Sequence, residues 1–385
     1  MNIRAEVKKI KKTIIDTRRD FHKYPELSFQ EIRTSKIVSE KLESFGIDVK
    51  RNIGKTGVVG TLRGKSQGKT IAFRADMDAL PIQETGERPY KSVNDGVMHA
   101  CGHDAHTAIL LGAAEVLSTM KNNINGTIRF IFQPAEEGYA GAKYMIQDGA
   151  IDNVDEIYGL HVWNYQPSCT VGIKSGAVMA AADIFTIEIK GIGGHGAAPQ
   201  GTVDAVVVAS HLIQALQTIV SRNTNPLENT VVTVGEINGG NNFNIIADQI
   251  ILRGTTRAYT ENNRTLIKNR MQQICAGVGN TYGAKIILHY KDGYPPVINE
   301  KKVTENVKFA AKKIVPNGVI SPYLSMGGED FSYFANKIPG CFFFLGSLPK
   351  NRKPMSTPQH CSHFDIDEEA MLVGSSIFIE LALNI

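Results

Sequence analysis

Several features that mark large classes of protein are missing from this sequence. Its 385 residues include only five cysteines, which are odd in number, lie far apart and form no CxxC pair, so a disulfide framework is not indicated. A reducing, cytoplasmic setting fits this cysteine usage better. No apolar run approaches the roughly 18 residues that a transmembrane helix needs, and the start of the chain lacks the apolar segment of a signal peptide. We therefore expect a cytoplasmic protein that does not span a membrane.

An excess of charge of one sign is also missing. The 42 Lys and Arg residues against 38 Asp and Glu residues leave a formal charge of +4, with no stripe of cations to follow a phosphate backbone. The most basic stretch, residues 8–19, interleaves cations with isoleucines at roughly helical spacing. Such a helix can touch an anionic membrane, but it more commonly lies on its own domain. Neither nucleic acid nor a membrane is therefore an expected partner.

What the chain does contain is the composition of a globular protein with a sizeable core. Hydrophobic residues make up 42% of it and charged residues 21%, which is far from the composition of a disordered or collagen-like chain. At roughly 100 to 200 residues per domain, the length predicts two or three folding units, or one large core that carries an insertion.

Strand and helix patterns alternate in the first part of the chain. Strand-like runs, the first at 57–62 and the last at 156–161, are separated by helical segments. This β/α alternation predicts an α/β fold with a mostly parallel sheet and helices on both of its faces. One helix is expected from Asp104 to Met120, with Asp104 as its N-cap.

A different order follows, and it predicts an inserted domain. Residues 181–292 show the order β, α, β, β, α, β, which is that of the α+β ferredoxin-like split βαβ sandwich. Two successive prolines, Pro295 and Pro296, mark its exit because neither a strand nor a helix continues through them. After them the α/β alternation resumes. We therefore predict a discontinuous main domain, 1–180 and 293–385, and an inserted domain, 181–292.

The densest chemistry lies in HACGHDAH, His99–His106, which holds three imidazoles and a thiol. Cys101 and His103 would face apart on a helix, but they can converge on one ion across a turn at Gly102. A position just before a helix N-terminus also favours the thiolate that a metal needs. The cluster therefore predicts a metal site, in which His99 and His106 can be supporting residues only.

A pair of carboxylates lies in QPAEEG, directly after a predicted strand. Adjacent side chains at a strand end point apart, so we expect that Glu136 and Glu137 do not chelate one ion together. One carboxylate can then bind a metal while its neighbour takes a proton from a water molecule that the metal activates. A glutamate pair in a loop is by itself more often part of a solvated surface.

Further polar side chains follow other predicted strands. Asp76 and Asp78 close one strand and share a face of it, His161 ends another, and His360 and His363 follow a third. Open α/β sheets place their sites just past the carboxyl ends of their strands. We therefore expect one crevice with enough ligands for two ions, built from Asp76, Asp78, Cys101, His103, Glu136, Glu137, His161 and one late histidine.

At these residues the sequence resembles the M20 metallopeptidases, and within them the amidohydrolase branch of aminoacylases, hippurate hydrolases and auxin-conjugate hydrolases. The similarity runs through nearly the whole chain, and several long motifs occur in the family's order. These motifs are RRDFHKYPELSF (18–29), FRADMDALP (73–81), MHACGHDAHTA (98–108), QPAEEG (133–138), GLHVW (159–163), GGHGAAP (193–199) and GGEDF (327–331).

The resemblance implies a zinc-exopeptidase-like catalytic domain that holds two divalent metal ions. His360 is preferred over His363 because the family's late histidine is followed four residues on by Phe and then Asp, here Phe364 and Asp365. Cys101 replaces the bridging carboxylate of other M20 branches. Zinc, manganese, cobalt and nickel all suit such a donor set. The implied ligands are Cys101, His103, Glu137, His161 and His360.

The resemblance also implies roles for other residues. Glu136 looks like the general base and Asp78 like the carboxylate that orients the site. The inserted domain resembles a lid and dimerisation domain, from which His195 can stabilise an oxyanion in the neighbouring subunit of a homodimer; a structural hydrogen bond is an equally frequent role for such a loop histidine. Asn244 and Arg257 are candidates for binding a substrate carboxylate, although a salt bridge within the sheet is as frequent for such an arginine.

Together these residues predict a metal-dependent amidohydrolase that hydrolyses the amide bond of an N-acyl amino acid. A carboxypeptidase that acts on short peptides and an N-acetyl-diaminopimelate deacetylase are alternatives in the same class. An alternative from another class is a metal-binding protein without catalysis, but storing a metal needs no general base such as Glu136. The expected partners are a small-molecule substrate and further copies of the chain, in a homodimer or a higher homo-oligomer.

Overall fold

A computed structural model describes residues 2–384 of the chain. Its helices are α1 (Ile3–Lys9), α2 (Lys11–Lys23), α3 (Ile32–Ser44), α4 (His103–Thr119), α5 (Glu136–Tyr139), α6 (Gly141–Gln147), α7 (Ala205–Thr218), α8 (Glu261–Tyr282), α9 (Lys301–Ile314), α10 (Ser332–Ala335) and α11 (Glu369–Ala382). Its strands are β1 (Asp48–Ile53), β2 (Gly57–Arg63), β3 (Ser66–Asp76), β4 (Asn125–Gln133), β5 (Glu156–Pro167), β6 (Val171–Gly172), β7 (Gly176–Met179), β8 (Ala181–Lys190), β9 (Gly194–His195), β10 (Thr230–Gly239), β11 (Ile245–Ile246), β12 (Gln249–Ala258), β13 (Lys285–Tyr294), β14 (Val297–Asn299), β15 (Val319–Ile320) and β16 (Gly340–Leu348).

The chain divides into two compact units. The larger unit runs to Gly176, returns at Ile298–Leu324 and continues from Asp330 onward, and the smaller unit is Ala177–Val297 with Ser325–Glu329.

The larger unit is built on a mixed eight-stranded sheet with the order β1-β2-β4-β3-β5-β16-β6-β15. Its centre, β4-β3-β5-β16, is parallel. In contrast, β2 pairs antiparallel with β1 and β4, and β6 pairs antiparallel with β16. The sheet predicted to be mostly parallel is therefore mixed: its centre and the β6–β15 pair are parallel, and its other pairs are antiparallel. Strands β1 and β2 are joined by a connection too short for a parallel crossover, which needs a dozen or more residues.

Helix α4 is buried along nearly its whole length, between the sheet and helices α2 and α11. Its sequence is apolar on most sides, as a helix in the interior of a unit requires. At Gly112 an added Cβ would lie 2.7 Å from Ile14 Cδ1, so the close approach of α2 depends on glycine at that position.

The start of α4 differs from the prediction. Its N-cap is Gly102, whose φ of 96° is a left-handed conformation that favours glycine. Asp104 lies in the first turn instead, and its carboxylate accepts hydrogen bonds from Arg18 Nε and His22 Nδ1, both at 2.8 Å. The prediction of Asp104 as the N-cap is wrong because buried cationic donors engage this carboxylate.

Arg18 is the centre of a buried ion network in the larger unit. Besides Asp104 on α4, it donates to Asp365 at 3.1 Å and to Glu368 at 3.3 Å, just before α11. Although burial opposes the shift, the Arg18 guanidinium holds the pKa of Asp104 well below its ordinary value. The network therefore joins α2 to the start of α4 and to the segment that follows the late histidines.

The smaller unit contains a four-stranded sheet with the order β10-β12-β8-β13, in which all neighbouring strands are antiparallel. Along the chain its main elements follow as β8, α7, β10, β12, α8, β13. Side chains of the sheet such as Phe185 pack with Leu212 of α7 and Ile267 of α8 in one apolar core.

One helical segment, Ala205–Asn223, is long and apolar enough on average to cross a membrane. Polar residues interrupt it, which is why no continuous apolar run is visible in the sequence. Its side chains Val208, Leu212 and Leu216 are buried in the core of the smaller unit. This packing is that of a core helix with one face on a sheet.

We expect Arg18→Ala to lower the free energy of unfolding by about 3–5 kcal/mol, because it leaves Asp104 as a buried charge without its main partner. Urea unfolding of the metal-free protein measures the change. Arg63→Ala is the matched control, since the Arg63 side chain is 74% exposed and lies 3.9 Å from Asp48. A loss no larger for Arg18→Ala than for Arg63→Ala would contradict a central role for this network.

Candidate metal centre

The carboxyl ends of neighbouring parallel strands bring the predicted site residues to one edge of the larger sheet. Asp76 of β3 is in register with Gln133 of β4, and His161 of β5 is in register with Phe344 of β16. Helix α4 begins at the same edge with His103.

Five predicted ligands lie together there in overlapping groups. Within each group, one potential ligand atom of every residue lies within 4.8 Å of the others. Cys101 Sγ is 3.4 Å from His161 Nε2, and Glu137 Oε1 is 3.2 Å from His360 Nε2. Cys101 belongs to two of the groups, which are Cys101, His103, His161 and Cys101, Glu137, His360.

The ring orientations of two histidines fit a bound metal ion. His103 donates from Nδ1 to Asp78 Oδ1 at 3.2 Å, and His161 donates from Nδ1 to the carbonyl oxygen of Val162 at 2.7 Å. Their Nε2 atoms therefore point into the donor cluster, as those of metal-binding histidines do. His103 Nε2 is buried and has no hydrogen-bond partner among residues 2–384. A cation at this position would satisfy it.

Without a cation, protonation is favoured at two of the donors, His103 and Cys101. Burial opposes protonation of His103, but the carboxylates of Asp76 and Asp78 raise its pKa to about 10. Burial, followed by the charges of Glu137 and Glu136, raises the pKa of the Cys101 thiol well above its ordinary value. The expectation that the position before the helix N-terminus favours a Cys101 thiolate does not hold for the metal-free site, because burial and the neighbouring carboxylates outweigh it. A metal ion must displace both protons to bind.

Glu136 and Glu137 do not point apart as predicted. One carboxylate oxygen of each lies within 4.8 Å of the other and of a ring nitrogen of His103. The chain has already left the extended conformation at this point, since Ala135 has a φ of 55° and Glu136 begins the short helix α5. The rule that neighbouring side chains alternate between two faces holds only in a strand.

Two buried carboxylates hold this turn in place. Glu31 Oε1 accepts a hydrogen bond from the Ala135 amide at 2.9 Å. Asp78 accepts hydrogen bonds from the amides of Glu136 and Glu137, each at 3.0 Å. Because Asp78 also binds His103, one side chain sets the positions of three residues in the donor cluster.

Three other histidines near this edge, His106, His99 and His363, differ in their contacts. His106 donates from Nδ1 to Asp76 Oδ1 at 2.5 Å and accepts the amide of Val162 at Nε2 at 2.9 Å. Burial lowers the pKa of His99 to about 4, and its ring nitrogens have no hydrogen-bond partner among the described residues. His363 is exposed, and its Nε2 lies 3.0 Å from a backbone carbonyl oxygen, so it joins none of the donor groups of the described residues.

A second buried network was missed by the analysis of the sequence. Asp330 accepts from Arg74 Nη2 at 2.9 Å, from Gln133 Nε2 at 2.8 Å and from the Ala142 amide at 3.0 Å, and its own amide donates to Glu136 Oε1 at 3.4 Å. Arg74 is fully buried although it lies in an apolar strand. That lone cation in the run TIAFRAD was the available signal, because a buried arginine requires carboxylate partners.

The smaller unit contains the remaining predicted residues. His195 and Asn244 line one cavity of about 530 Å³, where His195 is in register with Ile245 across β9 and β11. His195 accepts the Ala197 amide at Nδ1 at 3.0 Å, which leaves Nε2 as the ring nitrogen that can donate. Arg257 donates to the carbonyl oxygen of Thr256 at 3.0 Å, lies outside the lining of this cavity, and forms no salt bridge with the described residues.

We expect Asp78→Asn to lower the affinity of this cluster for a divalent cation by about 10–100-fold, because His103 and the turn at residues 135–137 lose their common acceptor. Competition with a fluorescent chelator measures the affinity. Asp48→Asn is the matched control, since the Asp48 side chain is 62% exposed. Equal affinities in the two variants would show that Asp78 does not orient the donors.

Comparison with known proteins places the chain in a family. Residues 72–384 match the family described as Peptidase family M20/M25/M40. The chain is 42% identical to the N-acetyl-L-cysteine deacetylase of Bacillus subtilis (strain 168), over 97% of this chain and 88% of that protein. It is 40% identical to thermostable carboxypeptidase 2 of Saccharolobus solfataricus, over 99% of this chain and 98% of that protein. The crystal structure of Bacillus subtilis YxeP, described as a dinuclear metal-binding peptidase, aligns with a TM-score of 0.86 at 36% identity over 98% of both chains. The chain therefore belongs to peptidase family M20/M25/M40, and it is a metal-dependent hydrolase with the fold of this family.

Proposed function

We propose that this metal-dependent hydrolase cleaves the amide bond of N-acyl amino acids. The observation that carries the proposal is the position of Glu136, a carboxylate that is only 6% exposed and lies within 4.8 Å of His103 and Glu137 in the donor cluster. A metal-storage site has no use for an additional acid–base group beside its ligands. The similarity to a deacetylase that is named for an N-acetylated amino acid supports the same conclusion.

The donor groups support binding of two divalent ions. Cys101, His103 and His161 would hold one ion, and Cys101, Glu137 and His360 would hold the other, with the sulfur common to both groups. The description of YxeP as a dinuclear metal-binding peptidase supports this number. Zinc, manganese, cobalt and nickel remain candidates, because imidazole, thiolate and carboxylate donors accept all four ions.

When bound, the ions would polarise the amide carbonyl and make a water molecule more acidic. Glu136 accepts the proton of the attacking water and then donates it to the leaving amine, so that a carboxylic acid and an amino acid are released. Asp78 holds the turn that carries Glu136 throughout. His195, with its proton on Nε2, is proposed to donate to the carbonyl oxygen as negative charge develops there. Asn244 and Arg257 are proposed to bind the α-carboxylate of the substrate.

The smaller unit is proposed to act as a ferredoxin-like lid and dimerisation domain. Its outer strands β10 and β13 each pair with a strand of the four-stranded sheet on one side only, among the residues that the structure describes. An unpaired strand edge can bind the same edge of a second copy about a two-fold axis. This proposal predicts a homodimer.

We expect Glu136→Gln to lower kcat on N-acyl amino acids by roughly 10²–10⁴-fold, because the amide cannot accept the proton of water. Elemental analysis should give the same metal content as in the parent protein. The control is Glu87→Gln, at an exposed glutamate that lies outside the donor groups of the described residues. A metal-loaded Glu136→Gln protein with unchanged kcat would refute the general-base role.

A carboxypeptidase is the second candidate function, since thermostable carboxypeptidase 2 of Saccharolobus solfataricus is 40% identical to this chain. A dipeptide carries an ammonium group next to its scissile bond, where it would be repelled by two bound cations, whereas an N-acyl group carries no charge there. We therefore expect higher kcat/KM for N-acetyl- and N-benzoyl-amino acids than for dipeptides with the same C-terminal residue. N-acetyl-diaminopimelate is tested in the same assay, because a deacetylase specific for it is another alternative. Higher kcat/KM for dipeptides would favour the carboxypeptidase. If the metal-loaded protein cleaves none of these substrates, a non-catalytic metal-binding protein is favoured.

A further inference from the structure

A row of aromatic side chains leads away from the donor cluster along strand β5. His161, Trp163 and Tyr165 are two residues apart and so share one face of the strand. The ring centroid of Trp163 lies 5.2 Å from that of His161 and 4.9 Å from that of Tyr165. Tyr323 continues the row, with its centroid 5.0 Å from that of Tyr165 and an interplanar angle of only 10°. We call this set of three side chains, Trp163, Tyr165 and Tyr323, the aromatic ladder.

The backbone holds the outer end of the ladder in place. Trp163 Nε1 donates to the carbonyl oxygen of Tyr323 at 3.0 Å, and the Tyr323 amide donates to Gln166 Oε1 at 3.0 Å. Exposure increases outward, from 5% for Trp163 through the partly exposed Tyr165 to 46% for Tyr323. A parallel pair of tyrosines that is anchored but half open to solvent presents a rigid aromatic face at little cost in side-chain entropy.

The ladder is continuous with the proposed catalytic site. Its inner member, Trp163, packs edge-on against the ring of His161, a proposed metal ligand. No step of the proposed reaction uses the ladder. Its three side chains also carry no cation, so they offer nothing to the α-carboxylate of an amino acid. They suit the uncharged end of the substrate, which is the acyl group.

We propose that the aromatic ladder binds the acyl group and that the enzyme prefers flat aromatic acyl groups, such as N-benzoyl, over N-acetyl. This inference rests on the proposed function, because it assigns one end of that substrate. Aromatic rings pack favourably on one another in offset stacks, whereas a methyl group covers only part of such a face. Tyr323, as the outermost and most exposed member, determines the preference.

The ladder contains its own probe, because Trp163 is the single tryptophan of the chain. We expect benzoate to change the tryptophan fluorescence of the metal-loaded protein and to bind more tightly than acetate. Tyr323→Ala should weaken benzoate binding roughly five- to tenfold through the loss of one stacking partner, and Tyr323→Phe should retain it. Phe309→Ala is the matched control, since Phe309 is an aromatic residue of α9 that is 54% exposed and does not belong to the ladder. Equal binding of benzoate to the parent and Tyr323→Ala proteins would overturn the proposal.

Hydrolysis supplies the second measurement. In Tyr323→Ala the ratio of kcat/KM for N-benzoylglycine to that for N-acetylglycine should fall roughly five- to tenfold, and in Phe309→Ala it should not change. An equal loss for both substrates, or a selective loss for N-acetylphenylalanine, would overturn the assignment of the ladder to the acyl group. If the parent protein hydrolyses none of these substrates, the proposed function fails, and the fluorescence titration still decides whether the ladder binds an aryl carboxylate.

Discussion

The hydrogen bonds of the Asp78 carboxylate are the interaction on which the site depends. This buried side chain accepts from His103 Nδ1 and from the amides of both Glu136 and Glu137, with Ser28 Oγ as a fourth donor at 2.7 Å. A carboxylate with four donors keeps its charge in the interior, and although burial opposes the shift, the pKa of Asp78 is lowered, chiefly by His103. The same carboxylate therefore positions both His103, a proposed ligand on α4, and Glu136, the proposed base in the turn after β4.

Left-handed backbone positions direct the donors toward one another. Gly102 lies between Cys101 and His103, Ala135 precedes Glu136, and His360 itself has a φ of 65°. The amide of His360 donates to the carbonyl oxygen of Ala100 at 2.7 Å, which brings the late segment beside the first motif. Non-glycine residues adopt this conformation at an energetic cost, and such strain concentrates at functional sites.

The buried ion networks hold together the helices and chain segments that carry these donors. Arg18 joins α2, α4 and the segment before α11, while Arg74 and Asp330 join the centre of the sheet to the segment after the smaller unit. Each cation has more than one carboxylate partner, so removing the cation leaves buried carboxylates without their main partner.

The sequence by itself indicated the candidate donors of the site. The donor types in HACGHDAH and QPAEEG and their distances along the chain are local information, whereas the choice of His360 over His363 followed from the resemblance to the family. Only the tertiary structure decided that the sheet is mixed, that carboxylate oxygens of Glu136 and Glu137 lie within 4.8 Å of one another, that burial raises the pKa of the Cys101 thiol, and that Asp104 pairs with Arg18 instead of capping α4. These properties depend on which segments pack together and on how far water is excluded, and neither is encoded in the spacing of a motif.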